Sequence, residues 1–592
     1  MKYERLAEVF EEIESTSKRL EMTALLVTLI KETPVDIIDQ VVYLMQGKLY
    51  PDYVGIELGI AEKLVAKAIA FVSGLTETQI ETVYKQNGDL GLAAQEILKK
   101  RAQTTLMTKS LTVKTVYETF DKIARATGKG SIDIKVKLLS SLLSDATPKE
   151  AKFVTRMALG KLRVGIADMT LLDALATAYA GSKEFREPFE QAYNHSSDLG
   201  YVAKTAALHG ISGVKKFKIT VGRPVRAMLC ERLSSTQEIL TKLAGKGAAE
   251  YKYDGLRIQA HISTKNVQLF SRRLENITAQ FPDVVENLKQ AVSATNAIIE
   301  GECVAVDPNT GDLLPFQVVS QRRGRKYDLP SMSEEVPVFI FLFDALYVNN
   351  HDLTLTPYLN RREQLIKIVK ESEHVHISEQ LLTEDPAELE RFFDKAVSLG
   401  CEGLVVKNVG PESVYQAGSR GWLWIKCKRS YKAEVVDTFD LVPVGAFFGR
   451  GKRAGTYGAL LMATYNSEND QFETVSKLGS GFTDEDLKTL PKLLKPSILP
   501  HCHPRVKSEM KADVWFTPTQ VLEASADEIT LSPLHTCAMN AIRHGSGLAL
   551  RFPRFTGKYR DDKAPEDATT TKETLDTYQR QLKKIESEPS PQ

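Results

Sequence analysis

The chain is predicted to fold as a multidomain protein: an all-α N-terminal third, an α+β middle built on antiparallel sheet, and a small C-terminal β-barrel. Three changes of pattern carry that reading. Apolar residues repeat at helical spacing to about residue 215, short β-rich runs take over from Val221-Gly222-Arg223-Pro224, and closely spaced strands with glycine turns follow Tyr431. A length of 592 residues accommodates several domains, with boundaries expected at 1–215, 216–428, 429–571 and a tail at 572–592.

Composition narrows the class. Hydrophobic residues at 43% and charged residues at 26% describe ordinary soluble globular protein. With 77 Lys+Arg against 76 Asp+Glu, no global basicity advertises nucleic acid, so any such binding must come from local patches. No apolar run is long enough to span a bilayer, and Met1-Lys2-Tyr3-Glu4-Arg5 lacks the apolar core of a signal peptide, so a cytoplasmic protein is expected. The cysteines form no Cys-x-x-Cys pair, and His501-Cys502-His503 has no second ligand pair, which argues against a disulfide framework and a structural zinc site.

In the first third, Leu6, Val9, Phe10 and Ile13 set a helical stripe, and similar stripes recur between glycine turns. A faint repeat lies within it. Asn87-Gly88-Asp89-Leu90-Gly91 resembles Ser196-Ser197-Asp198-Leu199-Gly200. Asp89 and Asp198 read as helix N-caps, with Gly91 and Gly200 in the first turn. Helix starts of this kind favour phosphate, so the pair is a candidate grip on two stretches of DNA backbone; capped helix starts in a duplicated bundle are the equally available reading.

The middle third is expected to place strands at Tyr251–Tyr253, Arg257–Ile262, Val267–Phe270, Ala297–Ile299, Cys303–Val306, Val338–Phe343 and Gly403–Val406, with helices at 282–292, 361–371 and 386–399. In the last third, strands are expected at Glu434–Phe439, Val442–Phe447, Ala459–Tyr465 and Phe472–Lys477, making a barrel of about 140 residues. The tail from Lys572 reads as a charged helix with a disordered end.

The chemistry centres on Glu250-Tyr251-Lys252-Tyr253-Asp254-Gly255-Leu256-Arg257, a strand running into a turn with an amine and a guanidinium at the rim of a sheet. A lysine becomes a nucleophile where its surroundings depress its pKa. Alone, the segment fits a surface lysine beside a hairpin. Its companions change the balance: Ser271-Arg272-Arg273, Glu300-Gly301-Glu302 with Glu302 heading a strand, the apolar run Phe341-Leu342-Phe343-Asp344, Cys401-Glu402-Gly403-Leu404-Val405-Val406-Lys407, and Trp422-Leu423-Trp424-Ile425-Lys426-Cys427-Lys428, where alternation puts Lys426 and Lys428 on one face.

In this order and spacing the set resembles the nucleotidyltransferase superfamily of ATP-dependent DNA ligases, RNA ligases and capping enzymes, and most closely the three-domain DNA ligases of the archaeal and eukaryotic replicative type. The resemblance covers nearly the whole chain. It extends through Gly449-Arg450-Gly451-Lys452-Arg453, Lys477-Leu478-Gly479-Ser480-Gly481-Phe482, Arg551-Phe552-Pro553-Arg554 and Arg560-Asp561-Asp562-Lys563. It implies a helical DNA-binding domain, an adenylation domain and an OB-fold barrel. It also implies a nick-sealing ligase used in replication, repair and recombination: a Lys252-AMP intermediate forms, AMP passes to the 5′-phosphate, and the 3′-hydroxyl attacks.

On the same resemblance, Glu250 contacts the adenine edge, Phe343 stacks on the base, and Arg272 and Glu302 hold the ribose side. Arg257, Arg420, Lys426 and Lys428 surround the phosphates and lower the pKa of Lys252. Glu302 and Glu402 hold Mg²⁺, with Mn²⁺ as a substitute. Arg551, Arg554, Arg560, Asp562 and Lys563 orient pyrophosphate when the barrel closes over the site, through a linker after Lys428. A monomer acting on nicked duplex DNA and associated with the nucleoid is expected. The archaeal clamp-binding segment falls at Gln103-Thr104-Thr105-Leu106-Met107, which lacks its aromatic, so a sliding clamp is a weaker expectation. An RNA ligase, a capping-type nucleotidyltransferase and a DNA-binding protein with a decayed site are the competing readings. NAD-dependent ligases are set aside because their four-cysteine zinc module is missing from the sequence.

Overall fold

The computed structural model describes residues 1–58, 60–100, 109–306, 313–314, 316–322, 333–399, 401–428, 438–449, 456–526, 528–532, 534–542, 544–551 and 553–586. The chain forms two compact units, Met1–Cys427 and Lys428–Gln592.

Helices fill the first unit from Tyr3–Ser15 to Leu199–Val214 and share one apolar core that includes Phe10, Phe120, Phe153 and Phe189. The two repeated segments build matching corners. The helix Glu77–Asn87 ends at Gly88 and the helix Arg186–Ser196 at Ser197, both left-handed at φ 63° and φ 53°. Asp89 then accepts from the Leu92 amide and Asp198 from the Tyr201 amide, so both act as caps.

The glycines also make room for packed side chains. A Cβ on Gly91 would lie 2.7 Å from Arg156 Cγ and 2.7 Å from the Lys152 carbonyl, and one on Gly200 would overlap the Tyr43 ring. Asp89 and Asp198 are each 6% exposed, bonded inward to Arg156 and Arg163 or to Tyr43 and Tyr53. Both capping carboxylates are therefore engaged by the protein's own side chains. Asp89, Gly91, Asp198 and Gly200 hold the bundle's corners together.

The rest of this unit carries two sheets. Its strands are β1 (Leu229–Arg232), β2 (Gly247–Lys252), β3 (Leu256–Ser263), β4 (Val267–Ser271), β5 (Asn296–Ala305), β6 (Val338–Val348), β7 (His351–Asp352), β8 (Val375–Ile377), β9 (Gln380–Thr383), β10 (Gly403–Asn408) and β11 (Arg420–Lys428). One sheet has the order β1-β11-β10-β2-β9, and the other β4-β3-β5-β6-β7 with β8 beside β6. The turn expected after Lys252 is the crossover between them, not the hairpin that the segment alone would also fit. Asp254-Gly255 passes the chain from β2 into β3, and a side chain on Gly255 would overlap the Cys303 carbonyl.

Strand β5 is also longer than expected. Ala297–Ile299 and Cys303–Val306 were expected as two strands, but Glu300-Gly301-Glu302 continues between them, so Glu302 lies inside a ten-residue strand and not at its head. Gly301 permits this, because a Cβ there would come within 2.9 Å of the Phe341 carbonyl and of Leu342 Cδ2. One face of this sheet packs Ile258, Ile299 and Leu342 into an apolar core, while Arg257, Gln259, His261 and Glu300 project from the other.

The second unit is strand-rich and curled. β12 (Thr438–Phe448), β13 (Tyr457–Asn466) and β14 (Gln471–Leu478) form its centre; β12 pairs the strand Leu522–Ser525 through its first half and the strand Val514–Phe516 through its second. Register shifts at Pro443/Gly445 and Phe447/Phe448 bend β12 between these partners, which gives the curled half-barrels of an OB-fold. The expected break between Glu434–Phe439 and Val442–Phe447 is not seen: from Thr438 onward one strand continues to Phe448. The tail helix Thr571–Glu586 seats Tyr578, 9% exposed, in this core.

Gly200→Ala is expected to destabilise the helical region by about 1–3 kcal/mol, because the added methyl has to displace the Tyr43 ring. Denaturant unfolding checks it, and an unchanged midpoint contradicts the packing role.

Candidate active site

Lys252 ends β2, and its partner across the ladder is Gly403 of β10. The Glu402 amide donates to the Lys252 carbonyl at 2.8 Å, which draws the Glu402 side chain alongside. Lys252 Nζ lies 2.8 Å from Glu402 Oε2, with both side chains about a quarter exposed, at 24% and 22%. Glu302, on the facing sheet, acts on the same amine through its charge. Burial works against the lysine's charge, but Glu402 and Glu302 outweigh it and hold the Lys252 pKa above the ordinary lysine value. Surrounding cations were expected to lower it. The correction has a simple cause: the nearest charges are carboxylates. Burial in turn pushes the Glu302 carboxyl up to about 7, with Lys252 and Arg257 pulling the other way.

Behind the amine lies a seam of paired charges between the two sheets. Glu250, 2% exposed, is on the same face of β2 as Lys252. Its carboxylate is held by Lys407 at 2.6 Å, Arg362 at 2.6 Å and the Tyr358 hydroxyl. Those three partners leave the side chain turned into the seam. Lys407, 1% exposed, also donates to the Phe343 carbonyl at 3.1 Å and lies 5.0 Å from the Phe343 ring centre and 4.6 Å from that of Trp424. Burial lowers its pKa against the pull of Glu250.

Arg257 is likewise engaged. It donates to Glu300 at 2.8 Å and to the Met228 carbonyl at 2.9 Å, and its guanidinium sits 5.4 Å from the Phe343 ring centre. Phe343 is half-buried, with Arg257 and Lys407 both against its ring and Trp424 edge-on at 6.2 Å. Arg272 is exposed on the turn after β4, and lines one recess with Arg257 and Glu300. Ser271 builds that turn by accepting from the Arg273 and Glu275 amides. Arg420 stands exposed at the start of β11, while Lys426 and Lys428 are half-buried near its end.

Sequence reasoning missed Lys407, Glu300, Arg361 and Arg362. Arg361 and Asp344 are fully buried and joined by two hydrogen bonds of 2.8 and 2.9 Å. Lys407 had a visible signal, a lysine closing the apolar run Leu404-Val405-Val406; Arg361 and Arg362 sit on a helix that reads as an ordinary charged one.

In the second unit, Arg560 donates to Asp440 at 2.9 Å and to Asp562 at 2.8 Å, and Lys563 to Asp440 at 2.7 Å. The Arg560 hydrogen bond pulls the Asp562 carboxyl down to about 2. Arg554 is exposed on β21 (Arg554–Tyr559), and Arg551 ends β20 (Gly547–Arg551) opposite Glu528. Two of the sequence motifs meet here: Phe482 stacks on Phe555 at 4.9 Å, and the Phe555 amide donates to the Ser480 carbonyl. The linker after Lys428 (429–437), the 450–455 segment and the Gln103–Met107 segment lie outside the described residues.

Comparison with known proteins decides the family. Residues 2–176, 227–428 and 453–563 match the families described as DNA ligase N terminus, ATP dependent DNA ligase domain and ATP dependent DNA ligase C terminal region. The chain belongs to the ATP-dependent DNA ligases. It is 54% identical to "DNA ligase 2" of Thermofilum pendens, with 98% of each chain covered, and 51% identical to the DNA ligase of Staphylothermus marinus, covering 99% of this chain and all of the relative. The solved structure Pmar-Lig_PreS3 aligns over 94% of this chain and 99% of its own with a TM-score of 0.53 at 17% identity, which supports the fold. The protein is thus an ATP-dependent ligase that seals nicks in DNA, and among the described residues no helix is long and apolar enough to cross a membrane.

The raised Glu302 pKa has a sign that can be checked. The unfolded chain releases this proton near the ordinary value of 4.5 and the folded chain only near 7, so the folded state holds the extra proton between them. Stability then falls as pH rises through that window. Without nucleotide or metal, the ligase is expected to lose stability from about pH 4.5 to 7 relative to Glu302→Gln. Thermal unfolding at several pH values checks it; parallel curves contradict it.

Proposed function

We propose that Lys252 carries AMP during nick sealing. The observation that supports this is its position: an amine at a strand end, flanked by two carboxylates, beside a half-buried aromatic ring with cations behind it. The Lys252 nitrogen attacks the α-phosphorus of ATP, the bond to pyrophosphate breaks, and the amine gives up its proton, leaving a phosphoramidate. AMP then passes to the 5′-phosphate at the nick, and the 3′-hydroxyl displaces it.

Each residue has a place in that reading. Phe343 offers a ring to the adenine, pressed from behind by Lys407 and Arg257. Glu250 fixes Lys407 and so fixes the ring's far side. Arg272 and Arg420, both exposed, are free to reach ribose and phosphate, while Lys426 and Lys428 add positive charge along β11. Glu402 and Glu302 are the ligands offered to a divalent cation, Mg²⁺ or Mn²⁺. The donor set fits. Among the described residues no group of three or more metal-ligating side chains occurs, and two carboxylates suit a cation that keeps its waters and takes phosphate oxygens. The raised Glu302 pKa marks surplus negative charge that such a cation would neutralise. When bound, the metal polarises phosphate oxygens and offsets the carboxylates that hold Lys252 protonated.

Arg560 and Lys563, with Asp562, are read as pyrophosphate-orienting groups of the barrel domain, and Arg551 and Arg554 as part of the same face. Asp440 holds Arg560 and Lys563 in register until phosphate competes for them. Action as a monomer at the nucleoid, with a clamp bound through the Gln103 segment, completes the proposal.

Two outcomes test it. With α-labelled ATP and a divalent cation, the wild-type chain is expected to become labelled and Lys252→Ala to remain blank; labelling of Lys252→Ala, or labelling only with GTP, contradicts the assignment. Lys563→Ala is expected to slow self-adenylylation about 10²-fold while sealing of a pre-adenylylated nick falls much less, since pyrophosphate is absent from the later step. Equal loss in both assays removes the orienting role.

A further inference from the structure

Two carboxylates of β5 compete for one guanidinium. Arg257 of β3 stands directly opposite Glu302 in the ladder, where facing side chains are neighbours. Its guanidinium nevertheless turns to Glu300, at 2.8 Å, and to the Met228 carbonyl, at 2.9 Å. Strand register alone favours Glu302, so the groups packed around Glu300 must supply the choice.

Glu300 is 1% exposed and lies opposite Gln259, whose amide donates to Glu300 Oε1 at 3.3 Å. Gln259 is itself pinned to Val225, donating to its carbonyl at 3.0 Å and accepting from its amide at 2.7 Å. Tyr415, 3% exposed in the segment between β10 and β11, donates its hydroxyl proton to Glu300 Oε2 at 2.9 Å. The same oxygen accepts from the Met228 amide at 2.9 Å and from Arg257 at 3.4 Å. A hydroxyl offers one proton and two lone pairs, and all three are used here. This oxygen therefore touches Arg257 and both residues that accept from it. Burial and the Glu300 charge keep the phenol protonated, so it stays a donor toward the carboxylate.

The aromatic side of the cluster leads to Phe343. Trp424 is edge-on to Tyr415 at 5.8 Å and edge-on to Phe343 at 6.2 Å. The Arg257 guanidinium lies 5.4 Å from the Phe343 ring centre and 5.6 Å from that of Trp424. Attraction between a cation and a ring depends on that placement, and fixing it beforehand spares an ordering cost when a ligand binds.

We propose that Tyr415 is a positioning residue of the nucleotide site: its hydroxyl sets Glu300 and the Met228 peptide as the two acceptors of Arg257, holding the guanidinium behind Phe343 and off Glu302. The proposal rests on the reading of Phe343 as the ring that stacks on adenine, and adds to it the group that keeps that ring's cation in place.

The test is single-turnover self-adenylylation across a series of ATP concentrations, with Mg²⁺ present and no DNA. Tyr415→Phe removes one oxygen and keeps the ring against Trp424. It is expected to raise the half-saturating ATP concentration about tenfold, while the maximal rate falls much less. Arg257→Gln raises it as well, and Y415F/R257Q rises no further than R257Q, because the tyrosine acts through the arginine. Glu300→Gln, which removes the charge and leaves the tyrosine, reproduces the rise and decides the matter if Tyr415→Phe does not fold. Wild-type half-saturation in Tyr415→Phe, Glu300→Gln or Arg257→Gln, beside an impaired Phe343→Ala, overturns the proposal and leaves the stacking ring standing. Wild-type half-saturation in Phe343→Ala overturns the reading of the ring and the proposal with it. A Tyr415→Phe loss that multiplies with that of Arg257→Gln, or one confined to the maximal rate, also overturns it, since packing alone would act that way.

Discussion

Two carboxylates beside one amine set the terms for the first unit. Lys252 lies 2.8 Å from Glu402 on its own sheet, and the charge of Glu302 acts on it from the other, so the amine is held protonated. That arrangement suits the proposed AMP carrier once positive charge enters to balance the carboxylates. The rest of the seam follows the same rule. Glu250 answers Lys407 and Arg362, Glu300 answers Arg257, and Asp344 answers Arg361, each pair largely out of water. Buried pairs of this kind add little net stability, because desolvation offsets their attraction, yet breaking one leaves an uncompensated charge. Their effect here is geometric: they fix which groups stand behind Phe343 and which remain exposed.

Acidic anchors organise the other regions too. Asp89 and Asp198 each cap a helix and bind side chains from distant helices, so two similar corners tie the bundle together. Asp440 does comparable work in the barrel, where it collects Arg560 and Lys563. These cations are exposed enough to exchange partners, unlike Arg361 in the seam.

Much of this was legible in the sequence. Short β-rich runs located β3, β4, β6 and β10, the helical stripes located the bundle, and the order of Lys252, Arg272, Glu302, Phe343, Glu402 and Lys426 pointed to the ligase family. What escaped was pairing across space. Nothing local shows that β2 and β3 enter different sheets, or that Gly301 lets β5 run through. Gly91 and Gly200 looked like open helix starts because sequence does not reveal that Arg156 and Tyr43 fill the space beside them. The Lys252 pKa escapes sequence for the same reason: its motifs carry several cations, but the carboxylates Glu402 and Glu302 dominate it in the fold.

The most direct measurement is the titration of the Lys252 amine itself, followed by NMR of a chain labelled at lysine Nζ. Without metal or nucleotide the amine is expected to titrate above an ordinary lysine, and Mg²⁺ is expected to bring it down in the wild type but much less in Glu402→Gln. An amine already below the ordinary value without metal, or one indifferent to Mg²⁺, would contradict the account.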